Sequence, residues 1–344
     1  MSAPTAVPAA PKTLHDHFDR DVPDLDLTPQ ELEQLAAVLG RPVDLASAKK
    51  DAVGMNSNVF IFEASEGGSS YVLKQPTNPY SEASVVRESA NLARILAGDK
   101  DNQLPYAVPR IIGMVGKLSV MTLLPGLNGT RALAACESLA EREQLMREFG
   151  TVLRTIHKLK VDGAPLMHFT EDGAWTGGAD EPSRTWFVRC MELFAPRVRA
   201  NAALPENASD RYAIRVSAAL KDNLQLLDSH PPTDALWTTP PFDKIGFCHG
   251  DFMLPNILFT RDDNGNWRCS GILDWGDAGY ADARHDIMAA LGSIEQNAEK
   301  DHKAETPAFE KAFLTGYGLP DFDQEKFGLP WDRLYDIWDF SLEQ

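Results

Sequence analysis

Phe247-Cys248-His249-Gly250-Asp251-Phe252-Met253-Leu254-Pro255-Asn256-Ile257-Leu258-Phe259, followed by Gly271-Ile272-Leu273-Asp274-Trp275-Gly276-Asp277, is the stretch whose reading decides the fold. Asp251, Asn256 and Asp274 carry side-chain oxygens, and each stands beside apolar, strand-like neighbours that would hold it rigidly. Hard oxygen ligands on a fixed backbone are what a divalent cation and a phosphate group require.

Phosphoryl transfer asks a protein mostly for positioning and electrostatics: charge on the transferred group must be neutralised and the acceptor hydroxyl held in line. Mg²⁺ keeps several waters, so a carboxylate, an amide oxygen and the phosphates of a nucleotide suffice to hold it. Asn256 and Asp274 fit that role. Asp251, on the loop ahead of Asn256, is then free to accept a hydrogen bond from the attacking hydroxyl and to take its proton. The spacing H-x-D-x-x-x-x-N with a later metal-binding aspartate is that of kinase catalytic loops.

His249-Gly250-Asp251 through Asn256, with Ile272-Leu273-Asp274-Trp275, resembles the aminoglycoside phosphotransferase family, which also holds macrolide, choline, homoserine and methylthioribose kinases. Glycine follows the histidine where protein kinases have arginine, and tryptophan follows the metal aspartate as in the family's I-D-[FW], where protein kinases have D-F-G. Fixed positions at two linked spacings leave little room for coincidence. The resemblance implies an α+β, bilobal protein-kinase-like fold: a small antiparallel β-sheet lobe and a larger, mainly helical lobe. It also implies ATP or GTP as phosphate donor, Mg²⁺ as cofactor and a small hydroxylated molecule as acceptor.

The chain of 344 residues and 37.9 kDa suits two lobes of unequal size. Residues 1–24 are expected to form a mobile tail, 25–124 the nucleotide-binding lobe ending in a hinge, and 125–344 the catalytic and acceptor-binding lobe. Lys plus Arg total 33 against 50 Asp plus Glu, a net charge of -17 that disfavours nucleic acid or an anionic membrane as partner. The same charge is compatible with a cationic acceptor, though solubility alone also accounts for it. Cys136, Cys190, Cys248 and Cys269 form no C-x-x-C pair, so a zinc site or disulfide framework is not expected and a reducing cytosol is. No apolar run approaches a membrane span, and the first residues lack the pattern of a signal peptide.

Toward the N-terminus, Thr28-Pro29-Gln30-Glu31 reads as an N-cap with Pro at the first helical position, and Gly40 ends the helix. Gly54-Met55-Asn56-Ser57-Asn58 reads as a turn between strands. In the resemblance this hairpin folds over the nucleotide phosphates through its backbone N–H groups and the Ser57 hydroxyl; a turn of this composition also makes a plain hairpin. Ser70-Tyr71-Val72-Leu73-Lys74-Gln75 alternates as a strand with a lysine near its end, where a phosphate-binding lysine belongs. Glu88, in the helical stretch 81–96, resembles the family's helix glutamate that fixes this ammonium. By position in the resemblance, Thr122, Leu123 and Leu124 form the hinge that offers backbone groups to the nucleotide base, ahead of a break at Pro125-Gly126.

Leu139 to Leu159 carries apolar residues three and four apart, the mark of a long amphipathic helix ended by His157, whose expected role is structural. Helices over 182–200 and 208–227 build the acceptor pocket in the resemblance, with Trp175, Asp180, Trp186 and Glu192 as wall candidates. Gly279 to Ala290 resembles the family's G-D-P-x-x-D-[LI]-A segment with Tyr280 and Ala281 as departures, and Asp286 matches the acid that props the catalytic loop. The resulting reading is an O-phosphotransferase with Asp251 orienting the acceptor, Asn256 and Asp274 on Mg²⁺, and Lys74, Glu88, Ser57 and Asn58 at the nucleotide. An aminoglycoside or macrolide antibiotic leads as acceptor. A metabolic kinase of choline, homoserine or sugar type is the alternative, and a nucleotide-binding pseudokinase would lack one of the residues present.

Overall fold

Thr28 closes a capping box with Glu31: its hydroxyl accepts from the Glu31 N–H at 3.2 Å, and its own N–H donates to the Glu31 carboxylate at 2.9 Å. Helix α1 (Pro29–Leu39) therefore starts where its sequence says, and Gly40, in the left-handed region at φ 67, stops it. The computed structural model describes residues 25, 27–43, 48–51, 57–63, 70–77, 79–98, 104–167, 181–202, 211–299 and 302–323. The chain divides into two compact units, one of Met1–Ala83 and Arg110–Leu123, the other of Ser84–Pro109 and Leu124–Gln344.

The first unit is an antiparallel sheet of β1 (Lys49–Asp51), β2 (Ser57–Glu63), β3 (Ser70–Pro76), β4 (Ile111–Val115) and β5 (Leu118–Thr122), in the order β1-β2-β3-β5-β4. Because side chains alternate along a strand, register sorts them onto two faces. Phe60, Leu73 and Val120 lie opposite one another across three strands, and with Phe62, Val115 and Leu118 they bury against Leu27 and Leu35 of the α1 segment. The other face carries Ser57, Val59, Ile61, Val72, Lys74, Ser119 and Met121. The expected turn at 54–58 ends sooner than its composition suggests. Ser57 and Asn58 already pair with Pro76 and Gln75, and the Asn58 amide donates to Gln75 Oε1 at 3.1 Å. Residues 52–56 lie outside the described residues.

Helix α2 (Pro79–Leu96) follows, and its residues from Ser84 onward belong to the second unit. That unit holds β6 (Leu127–Asn128), α3 (Gly129–Ala134), α4 (Leu139–Ile156), α5 (Ser183–Ala202), α6 (Arg211–Ser229), α7 (Ala235–Thr238), β7 (Ile245–Cys248), β8 (Ile257–Arg261), β9 (Trp267–Ile272), β10 (Gly279–Asp282), α8 (Arg284–Ala298) and α9 (Thr306–Tyr317). Two antiparallel pairings matter most. Strand β8 pairs with β9 so that Ile257 faces Ile272, and β7 pairs with β10 so that Cys248 faces Gly279. Each loop, 249–256 and 273–278, is thus bracketed by the same two pairings, which set it alongside the other. The departures Tyr280 and Ala281 fall within β10, where the Tyr280 hydroxyl accepts the Val161 N–H at 3.0 Å.

Helix α4 ends at Ile156, three residues before its periodicity does, because the last N–H groups tighten to i→i+3 bonds such as Leu159 N–H to Ile156 O at 2.9 Å. Its apolar stripe of Leu145, Phe149, Val152, Leu153 and Ile156 is fully buried. It meets α9 at glycines: a Cβ on Gly150 would lie 2.0 Å from Phe313 O, and one on Gly316 2.0 Å from Arg147 O. The backbones therefore touch. Gly150→Ala is expected to destabilise the protein by about 3 kcal/mol or more, since backbone and not a flexible side chain blocks the methyl. Gly292→Ala in α8, where a Cβ meets nothing within 4 Å, is expected to be neutral or stabilising by about 0.5–1 kcal/mol. Denaturant titration of the two variants measures the contrast.

Candidate active site

His249 ties the two loops together through both ring nitrogens. Its Nε2–H donates to Leu273 O at 2.8 Å, while Nδ1 accepts the N–H of Asp251 at 3.3 Å. Only the neutral ring can do both, and burial, opposed by the nearby carboxylates, lowers its pKa. The ring also packs on Trp275, with centroids 4.6 Å apart. Asn256 repeats the tie: its Nδ2 donates to Asp251 O at 2.9 Å and to Asp251 Oδ2 at 2.8 Å, and its carbonyl accepts the Leu273 N–H at 2.8 Å. With Nδ2 so committed, the amide oxygen is the atom left to face a cation. Gly250, at φ 88, permits the close approach, since a Cβ there would meet Asp277 O at 2.4 Å.

Asp286, at the first turn of α8, is wholly buried and accepts the N–H groups of His249 at 2.6 Å and Gly250 at 3.0 Å. His157 Nε2 at 3.2 Å and His285 Nδ1 at 3.3 Å complete its shell, and His157 Nδ1 meets the Tyr317 hydroxyl at 2.8 Å. Burial works to raise the Asp286 pKa, yet these donors hold it well below the usual carboxylate range. His157 is therefore structural, though it grips a carboxylate and not the terminal carbonyls expected of a helix-end histidine. His157, Cys248 and Asp286 lie close enough to resemble a metal group. Asp286 is already saturated, however, and burial keeps the Cys248 thiol protonated.

Asp251 is pushed up to about 7, first by burial and then by the carboxylates of Asp274 and Asp277, with the Asn256 bond working against the rise. The donor set of Asn256 amide and Asp274 carboxylate is all oxygen, which suits Mg²⁺ and not a soft metal. Asp274 itself sits at φ 60, in the left-handed region. Helix α2 grips the residues after it: Glu88, buried, accepts the Trp275 N–H at 3.3 Å, Asn91 donates to Trp275 O, and Arg87 reaches Gly276 O at 3.2 Å and Asp277 at 3.3 Å.

The second unit thus brings together Asp251, Asn256, Asp274 and Glu88. In the first unit, Lys74 is partly buried, opposite Val59 and Ser119, and shares its face with Ser57; Asn58 falls on the other face. Thr122 N–H bonds Arg110 O at 3.0 Å and Leu123 N–H bonds Ser70 O at 3.4 Å, while Leu124 belongs to the second unit. Of the acceptor-wall candidates, Trp186 is buried core and Glu192 is exposed. Trp175 and Asp180 lie outside the described residues, as do 1–24 and 324–344. Arg87, Asn91 and Asp277 escaped the sequence reading. For Arg87 and Asn91 the one signal is spacing, since 84, 87, 88 and 91 recur on a single helical face.

Asp286→Asn is expected to cost roughly 3 kcal/mol at neutral pH, because two backbone N–H groups and two histidines then face an amide. An aspartate with a depressed folded pKa gives stability that is present above the unfolded value and lost as pH falls through the folded one. The gap between wild type and variant is therefore expected to narrow below about pH 4, as thermal unfolding across pH measures.

The profile of the phosphotransferase enzyme family, APH, matches residues 47–329. An aminoglycoside 3'-phosphotransferase of Streptomyces fradiae is 36% identical over 204 residues, covering 54% of this chain and 74% of the relative. One of Niallia circulans is 32% identical over 91 residues, covering 26% of this chain; the match spans only 30% of that relative's length. Among solved structures, the streptomycin–ATP–APH(2")-IIa ternary complex aligns at TM-score 0.54 and 18% identity, over 92% of this chain and 93% of the other. The macrolide 2'-phosphotransferase of Brachybacterium faecium aligns at TM-score 0.50 and 21% identity, over 90% and 87%. With its α+β, kinase-like fold and its paired loops, the chain belongs to the phosphotransferase enzyme family and is a small-molecule phosphotransferase, an enzyme that moves phosphate to a hydroxyl.

Proposed function

We propose that the chain transfers the γ-phosphate of ATP or GTP to a hydroxyl of an aminoglycoside antibiotic, in the cytoplasm, as a resistance enzyme. The observation that carries the reaction is the Asp251–Asn256 pair, hydrogen-bonded at 2.8 Å on a loop set alongside the one bearing Asp274. The acceptor class is supported by the two relatives, both aminoglycoside 3'-phosphotransferases, and by a net charge of -17, which favours a cationic ligand. Four unpaired cysteines suit a reducing compartment.

Asp251 orients the acceptor hydroxyl and takes its proton; a carboxyl near 7 is well matched to that work at neutral pH. Asn256 would offer its amide oxygen and Asp274 its carboxylate to Mg²⁺, which when bound neutralises charge on the phosphate oxygens. Lys74 serves the nucleotide phosphates, with the Ser57 hydroxyl and the Asn58 backbone beside it on β2 and β3 of the same unit. Since the Thr122 and Leu123 N–H groups serve the sheet, the hinge offers the base its carbonyls and the Leu124 N–H.

Nucleotide turnover with a panel of aminoglycosides, macrolides and amino alcohols tests the reading. Turnover with an aminoglycoside supports it, and turnover confined to amino alcohols or sugars rejects the antibiotic assignment. Asp251→Ala is expected to lower kcat by about 10²–10⁴-fold with the nucleotide KM little changed; undiminished turnover removes Asp251 from the chemistry. At low Mg²⁺ the rate is expected to rise with pH through about 7 as Asp251 ionises. More Mg²⁺ is expected to move that limb to lower pH, because a neighbouring cation favours the carboxylate.

A further inference from the structure

Among the described residues Asp274 is the one non-glycine residue with a left-handed backbone, at φ 60. Such a conformation persists where the surroundings over-determine it. Here the residues on either side of Asp274 have both backbone polar groups tied. Leu273 donates to Asn256 O at 2.8 Å and accepts from His249 at 2.8 Å. Trp275 donates to Glu88 at 3.3 Å and accepts from Asn91 Nδ2 at 2.9 Å. Asn256 already has a role in the proposed reaction; Asn91 has none.

We infer that Asn91 of α2 is a positioning residue for Asp274, acting through the turn Trp275–Ala278; the inference rests on the metal role proposed above for Asp274. The turn is closed by the Ala278 N–H on Trp275 O at 3.2 Å. Asn91 Nδ2 caps the carbonyls at its two ends, Trp275 O at 2.9 Å and Ala278 O at 3.1 Å. Arg94 donates to Asn91 Oδ1 at 3.0 Å, which fixes the amide with its nitrogen toward the turn. Two donors from one nitrogen plus one acceptor is what a primary amide alone supplies in this space, and Asn91 is 3% exposed. Without it both end carbonyls of the turn lose their side-chain donor, the turn relaxes, and the hold on the far side of Asp274 is weakened to the bonds from Glu88 and Arg87.

The test titrates Mn²⁺, read by electron paramagnetic resonance, into protein holding a non-hydrolysable ATP analogue. Asn91→Ala, Asp274→Asn and a control, Leu92→Ala, equally buried on the same helix at 1% exposure, are compared with wild type. Asn91→Ala is expected to raise the half-saturating Mn²⁺ concentration about tenfold. It is also expected to lower kcat with the acceptor KM unchanged, while Leu92→Ala lowers the melting temperature and leaves Mn²⁺ binding intact. If Asn91→Ala does not fold, Asn91→Gln, which keeps the amide but displaces it by one methylene, is expected to weaken Mn²⁺ binding severalfold. Wild-type Mn²⁺ binding in the folded Asn91 variant, with binding lost in Asp274→Asn, overturns the inference alone. Equal weakening in Leu92→Ala also overturns it, by assigning the effect to lost stability. Unchanged binding in Asp274→Asn overturns the metal role itself and the inference with it.

Discussion

The site depends on one buried carboxylate. Asp286 accepts two consecutive backbone N–H groups, those of His249 and Gly250, at the point where β7 gives way to the loop. Those groups point away from any strand partner and, buried, would each lose a hydrogen bond's worth of solvation. A single ionised acid at the start of α8 satisfies both and fixes the loop's departure direction. His157 and His285, from separate helices, hold that acid in turn. Folding of the helical unit and shaping of the catalytic loop are thus the same event.

Around that anchor the second unit crowds negative charge. Burial, and after it the nearby carboxylates of Asp274 and Asp277, lifts Asp251 to about 7, and Arg87 offsets part of the excess charge through Asp277. In the proposed reaction this imbalance suits a cation and an anionic donor that arrive together. The polar ties, from His249, Asn256, Glu88 and Asn91 to the backbone on either side of Asp274, keep the carboxylates from relaxing apart. Preorganisation around Asp274 is built largely from hydrogen bonds to main chain.

Much was legible from the chain alone. The capping box at Thr28, the stop at Gly40, the amphipathic stripe of α4 and the acid at Asp286 each rest on interactions within a few residues or on a fixed motif spacing. The reading failed where distant partners decide. Asn58 looked like a turn residue until pairing with Gln75 drew it into β2. Arg87 and Asn91 have no motif of their own, and their importance appears only when the loop they grip lies against the helix.

The sequence by itself determined which residues bear side-chain oxygens and at what spacing, because chemistry is local to side chains and motifs are written in order along the chain. Only the tertiary structure decided that Asp274 is left-handed, that the Asn256 nitrogen is turned to Asp251, and that Asn91 reads the turn at Trp275. Those facts depend on two strand pairings that join residues far apart in sequence, β7 with β10 and β8 with β9. Register between distant strands is settled by what the whole core buries, and no stretch of residues carries that information alone.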